Sequence, residues 1–339
     1  MIKEKDYFSV PAVSNSSMST INPEQGGTPA RYKKFIIDHA KTEEDTPSLA
    51  NGKLVHLYVE DPKQFVVSDV ERPTEKLAAW IEQVHNTFPP IDLDSANTDM
   101  IKRHALTLME KYGNTSDPDK IWAKFLTGKD YFNFLSASKG KVCMSPSQRS
   151  VVEGCIESLH KNKLAEKLLF NKPDSFGASV FNEKALYWDE VIHLFSTTTK
   201  LACKALLDRV IIDPVKKTAT LIDLKTTGKN IAAFDSSFKY WRYYRQMGWY
   251  TRAIRRMLKD EYDDRIAEWD IAVWIVAVET HGLHETRVFR VSDNYLEKGE
   301  DEAMGLVERI AHATYYASWN QCQEEKSTGY LMLEPDDNN

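Results

Sequence analysis

No two cysteines in this chain form a C-x-x-C pair: Cys143, Cys155, Cys203 and Cys322 are widely scattered. A zinc knuckle needs closely spaced thiolates, so that class is set aside and buried reduced thiols are expected. A run of about 20 apolar residues, the length that crosses a bilayer, is also missing. The first ten residues, MIKEKDYFSV, lack the apolar core of a secretory signal. No membrane contact and a cytoplasmic location are therefore expected. Internal repeats are absent. Acids are missing from residues 239–259, where seven lysines and arginines stand without one. That local footprint counts for more than the formal net charge of −6, because binding depends on local potential.

What is present is an ordinary globular composition, 42% hydrophobic and 28% charged over 339 residues, enough for one large domain or two smaller ones. Residues 1–28, rich in Ser, Asn, Pro and Gly, read as a loosely ordered N-terminal segment. Helices are expected after Pro29, after Pro47, over 74–87 and over 96–112. Ser145-Pro146 reads as the start of a long helix reaching about Phe170. The stretch 86–145 reads as a helical insertion without assignable chemistry. Strands are expected over 178–190, on both sides of Pro214-Val215-Lys216-Lys217, over 271–278 and over 286–291. The continuous apolar run 271–278 suits a central strand. A closing helix spans 294–320, and 326–339 is an acidic tail. The fold class is α/β or α+β, with a mixed central sheet of about five strands flanked by helices. Residues 29–325 are expected to form one domain.

The candidate chemistry lies in the hairpin from Lys204 to Thr227. With Pro214–Lys217 as the loop, Asp213 faces Thr218, and counting back places Asp208 across from Asp223. Lys225 shares the face of Asp223. Two carboxylates on an apolar surface raise each other's pKa unless a cation lies between them, which outlines a divalent-metal site. Magnesium keeps several waters, so two or three acids suffice. Lys225 would stabilise developing negative charge, or remove a proton from water if neighbouring cations depressed its pKa. Glu183 on the preceding strand is a third acid. Taken alone, it reads as an exposed strand residue, and His56 as a satisfied core histidine.

Beyond the hairpin, Gln246 and Tyr250 lie four apart on one helix face, with Lys239, Arg242 and Tyr243 on roughly the same side. Aromatics interleaved with bases are what single-strand grooves use, against the plainer reading of a half-buried helix packing its rings inward.

The ordered set Glu183, Asp208, Asp223-Leu224-Lys225 and Gln246-x-x-x-Tyr250 resembles the PD-(D/E)xK nucleases of the RecB type. Within them it is most similar to the exonuclease VIII (RecE-like) group of phages and prophages. Ser14 to Ala30 with Tyr32 and Phe35, the run Gly52–Pro62 with Phe65, and Glu183-x-x-x-Tyr187-Trp188 leading to Cys203–Asp208 carry the likeness upstream. The resemblance covers most of the chain outside 86–145. It implies a restriction-endonuclease-like core and a Mg²⁺-dependent DNA exonuclease, with Mn²⁺ able to substitute. Such an enzyme processes linear duplex ends in phage recombination, in the host cytoplasm. By resemblance Asp208, Asp223 and the Leu224 carbonyl hold the metal, His56 and Glu183 are auxiliary metal-site residues, and Lys225 activates water. Gln246 and Tyr250 orient the substrate strand, with Arg242 and Lys239 beside them. A single-strand annealing recombinase is the implied partner, and a homo-oligomer the implied assembly. Members with an iron–sulfur cluster carry a compact C-terminal cysteine group. Here only Cys322 lies there, so no cluster is expected. A structure-specific or single-strand endonuclease, and an inert nuclease-fold DNA-binding module, are the alternatives.

Overall fold

The computed structural model describes residues 4–40, 47–67, 70–88, 91–94, 98–111, 117–138, 141–173, 177–195, 197–262, 266–320 and 328–330. Cys322 and most of the acidic tail lie outside the described residues. The chain forms two compact units. One comprises residues 1–46, 159–279 and 285–339, the other residues 47–158 and 280–284. The expectation of one domain over 29–325 is thereby corrected. The residues read as an insertion at 86–145 belong to a larger body that also takes in 47–85.

The first unit is built on a five-stranded mixed sheet, as expected. Its strands are β1 (Ser179–Leu194), β2 (Thr197–Asp213), β3 (Thr218–Thr227), β4 (Asp270–Glu279) and β5 (Thr286–Arg290), adjacent in that order. Only β3 and β4 are parallel. A parallel pair needs a crossover, and the helices between β3 and β4 supply it. The β2–β3 loop is fixed by Asp213, whose Oδ1 accepts from the backbone N–H groups of Val215 and Lys216, both at 3.1 Å. Asp213 pairs with Thr218. The inner strand β4, between the central β3 and the edge strand β5, buries Val273 and Ile275–Val278. Each of the buried valines and the isoleucine contributes about 1.5–3 kcal/mol.

β2 outruns β3, which leaves the edge of its first half uncovered. The N-terminal segment takes that edge: Val13 N–H donates to Ala202 O at 2.8 Å and Lys204 N–H to Val13 O at 2.7 Å. The short helix α1 (Asn15–Ser19) follows, closed by a reciprocal Ser14–Ser17 capping box. Met18 and Ile21 are fully buried. The reading of residues 1–28 as loosely ordered is therefore wrong for this stretch. Its polar residues look soluble, but they serve as caps and its two apolar ones as core anchors.

Helices α2 (Phe234–Tyr240), α3 (Tyr243–Glu261) and α4 (Asp293–Tyr315) complete this unit. α3 anchors to the sheet through Trp249, whose indole donates to Lys204 O at 3.1 Å and packs on Trp188 at 4.7 Å between ring centroids. It crosses α4 at Gly248 and Gly299, where a Cβ on either would overlap the backbone of the other helix. The helix begun at Pro146 stops at Lys161, short of the expected Phe170. Asn162 then caps a second helix through Leu164 and Ala165.

The second unit is mainly helical, with helices Pro47–Glu60, Glu75–His85, Asp99–Lys111, Pro118–Leu126 and Lys129–Ala137 and a small parallel ladder joining 65–67 to 142–144. Ala78, Ile81, Val84, Ile101, Phe125 and Phe132 form its core. No helix of the described residues is long and apolar enough to cross a membrane.

Candidate active site

The β2–β3 ladder is paired from Asp213↔Thr218 to Arg209↔Ile222. One further step of that register places Asp208 across from Asp223. On the other side of β2, Asn182↔Arg209 and Lys184↔Leu207 bracket Glu183 and Asp208. Glu183, Asp208 and Asp223 thus stand in one row across three strands. The ladder loosens at this row. Glu183 takes a left-handed backbone (φ 47°), and the Asp208 carboxylate itself accepts the Leu224 N–H at 2.9 Å. A left-handed β-strand glutamate is costly, on the order of 1–3 kcal/mol, and such strain collects at functional sites.

Asp223 is fully buried, and its Oδ2 lies 2.5 Å from Lys225 Nζ, which is 15% exposed. Lys225 Nζ also sits 5.0 Å from the centre of the Tyr243 ring. Burial pushes the Asp208 carboxyl up, against the Lys225 charge and the Leu224 N–H. For Lys225, burial alone lowers the pKa, but the charges of Asp223 and Asp208 outweigh it and hold the ammonium above its ordinary value. The condition for Lys225 to act as a base was crowding by cations. Its neighbours are carboxylates, which pull the other way. The Tyr250 phenol is raised well above its usual range by burial and then by Asp223 and Asp208. Gln246 Nε2 donates to Tyr250 Oη at 2.9 Å, so these two residues reach the carboxylate row as a unit.

Asp208, Asp223, Lys225, Gln246 and Tyr250 therefore converge. Among the described residues, no group of three or more His, Cys, Asp or Glu side chains is close enough to hold a metal. Glu183 is a neighbour in register rather than a third converged ligand. Two carboxylates still fit a hard ion that retains its waters, though not an all-protein cage. His56 is half-buried on the helix Pro47–Glu60 of the other unit, and its assignment rests on the resemblance alone.

The basic segment differs from its sequence reading. It breaks into α2 and α3 at Arg242, which adopts φ 56°. Its arginines have carboxylate partners from elsewhere in the chain. Arg242 pairs with Glu24 and, at 2.8 Å, with Glu302. Arg245 is fully buried among Asn15, Ser19, Gln25 and Glu302. Arg252 joins Glu190 and Glu300, Arg255 joins Glu300, and Arg256 joins Glu190. Lys239 pairs with Asp235 at 2.8 Å. The uncompensated phosphate-binding face expected from the missing acids is therefore not formed. The acids that pair with its arginines lie far off in sequence, where a local window does not see them. Of the rings, Tyr244, Trp249 and Tyr250 are buried, while Tyr240 and Trp241 stay exposed.

No family model matches the chain, and no curated protein is similar to it. Among solved structures it is similar to a candidate exonuclease from Eubacterium rectale, at 13% identity and a TM-score of 0.46. The likeness covers 99% of this chain and 96% of the other.

Proposed function

We propose that the chain is a metal-dependent nuclease, hydrolysing phosphodiester bonds of DNA at the Asp208–Asp223–Lys225 site. The observation that supports it most is the placement of a buried aspartate, a second aspartate and a lysine at one loosened row of a sheet that is otherwise tightly paired. Structural ion pairs do not need two carboxylates facing each other in an apolar setting.

Asp208 and Asp223 would hold the metal, with the Leu224 carbonyl, and Mg²⁺ or Mn²⁺ suits this oxygen set. A bound divalent ion would supply an activated water and neutralise phosphate charge. Lys225, kept protonated by its carboxylate neighbours, places a positive charge where phosphoryl oxygens gain negative charge. Tyr250, held protonated by its surroundings and fixed by Gln246, orients the scissile group. Arg242 and Lys239, already paired, contribute less to strand binding. Exonuclease action on linear duplex ends in a recombination setting, with an annealing protein as partner and a homo-oligomeric assembly, is the finer form of this reading.

Incubation of linear and covalently closed circular duplexes with Mg²⁺, comparing the native chain with Asp223→Ala, tests it. Degradation of the linear form alone, lost in the variant, supports an exonuclease. Nicking of closed circles would point to an endonuclease. Cleavage of neither substrate would refute the hydrolytic reading.

A further inference from the structure

Most of the aromatic-basic segment is absorbed into the core and its ion pairs, but one part is not. Tyr240 is 69% exposed and Trp241 52% exposed, at the break between α2 and α3. Their rings meet edge to face, with centroids 4.7 Å apart at 86°, which leaves ring faces open to solvent. Lys229 Nζ lies 5.9 Å from the Tyr240 centroid, and Lys229 makes no ion pair among the described residues. It lies just past β3, the strand that carries Asp223 and Lys225. On the other side of the break, Tyr243 in the first turn of α3 rests against Lys225. The aromatic pair is thus tied to the site at both ends.

The break is also held at a cost. Arg242 is a non-glycine residue with a left-handed backbone, a strained conformation for an L-residue. Its guanidinium is fixed by Glu302 at 2.8 Å and by the Tyr244 hydroxyl at 2.5 Å. Straight continuation of α2 into α3 would remove both the strain and this outward presentation of the rings.

We propose that Tyr240, Trp241 and Lys229 form a stacking platform for the unpaired bases of a nucleic-acid strand led to the Asp208–Asp223–Lys225 site. The proposal rests on the phosphodiesterase reading for its direction, though not for its test. Open ring faces beside a lysine without a carboxylate partner among the described residues match a base next to its phosphate. Two rings are too small a patch for a stable protein interface, which takes about 800 Å² per partner.

The test measures binding in EDTA, where no cleavage intervenes, by anisotropy of a labelled oligothymidylate and of an abasic oligonucleotide of equal charge. Tyr240→Ala and Trp241→Ala should each weaken oligothymidylate binding roughly ten-fold and leave abasic binding unchanged, while Tyr240→Phe and Trp241→Phe restore it. Lys229→Ala should weaken both ligands and reduce the single-strand salt slope by about 0.7. Circular dichroism checks that these surface variants fold. Alanine variants that bind oligothymidylate normally, or that lose both ligands equally, would overturn the platform. Normal binding by those variants, with Mg²⁺-dependent cleavage intact in the native chain, removes the platform alone. Ring-dependent binding by a chain that cleaves nothing keeps the platform and removes the phosphodiesterase reading. Neither binding nor cleavage overturns both.

Discussion

Two charged regions of the sheet unit treat their charges in opposite ways. On α3, Arg252, Arg255 and Arg256 are matched by Glu190 and Glu300, and Arg242 and Arg245 share Glu302. In the β2–β3 hairpin, Asp208 and Asp223 crowd around one ammonium, and burial drives Asp208 upward. The first arrangement is what a fold does with charges it must bury. The second leaves two carboxylates sharing one cation, the balance that a bound divalent ion would complete under the proposed function. Charge density points to α3, whereas charge compensation points to the hairpin.

The sharpest way to break this contrast is to remove the lysine. Lys225→Ala should lower Mg²⁺-dependent DNA cleavage by about 10²–10³-fold, with the fold retained by circular dichroism. The same kind of deletion in the compensated region should act on stability instead. Arg252→Ala leaves the 2%-exposed Glu190 without its best partner and should cost about 3 kcal/mol in chemical denaturation. Gly248→Ala, which forces a methyl into the α4 backbone, should cost about 1–3 kcal/mol by the same measurement.

The two regions should also differ in pH dependence, with opposite signs. Glu190 is lowered, since burial is outweighed by hydrogen bonds from Arg252 and Trp188. Its stabilisation is present above the ordinary carboxylate pKa and is lost as pH falls through the lowered value. Asp208 is raised, so its contribution is present at low pH and lost as pH rises through the raised value. Asp208→Asn should therefore stabilise the metal-free chain at neutral pH while abolishing cleavage, and thermal melts across pH read this directly. The smallest effect is expected from Lys239→Ala. It breaks an exposed, solvent-screened pair with Asp235 and should change DNA affinity by less than about two-fold.

The hairpin was legible in the sequence because its information is local. A four-residue loop sets Asp213 against Thr218, and a two-residue side-chain period carries the register back to Asp208 and Asp223. The apolar run of β4 announced a buried inner strand for the same reason, though the middle of the sheet is β3. What the sequence hid is long-range. Ser14 and Ser17 look like linker residues, yet they cap each other while Val13 closes the edge of β2. The bases of α3 look free until Glu190, Glu300 and Glu302 arrive from other elements. The break at Arg242 carries no glycine or proline to signal it, because ion pairs hold the backbone there. The separate unit of 47–158 and 280–284 follows from packing among helices that the sequence divides between the main domain and an insertion at 86–145.

The central claim is that the two aspartates and the lysine form a hydrolytic centre rather than a structural cluster. Quantifying nucleotide release from a linear duplex in Mg²⁺ and in EDTA, for the native chain and Lys225→Ala, tests it most directly. Release by the native chain in Mg²⁺ only, with Lys225→Ala reduced at least about a hundred-fold, is the predicted result. Equal Mg²⁺-dependent release by the two proteins would contradict it.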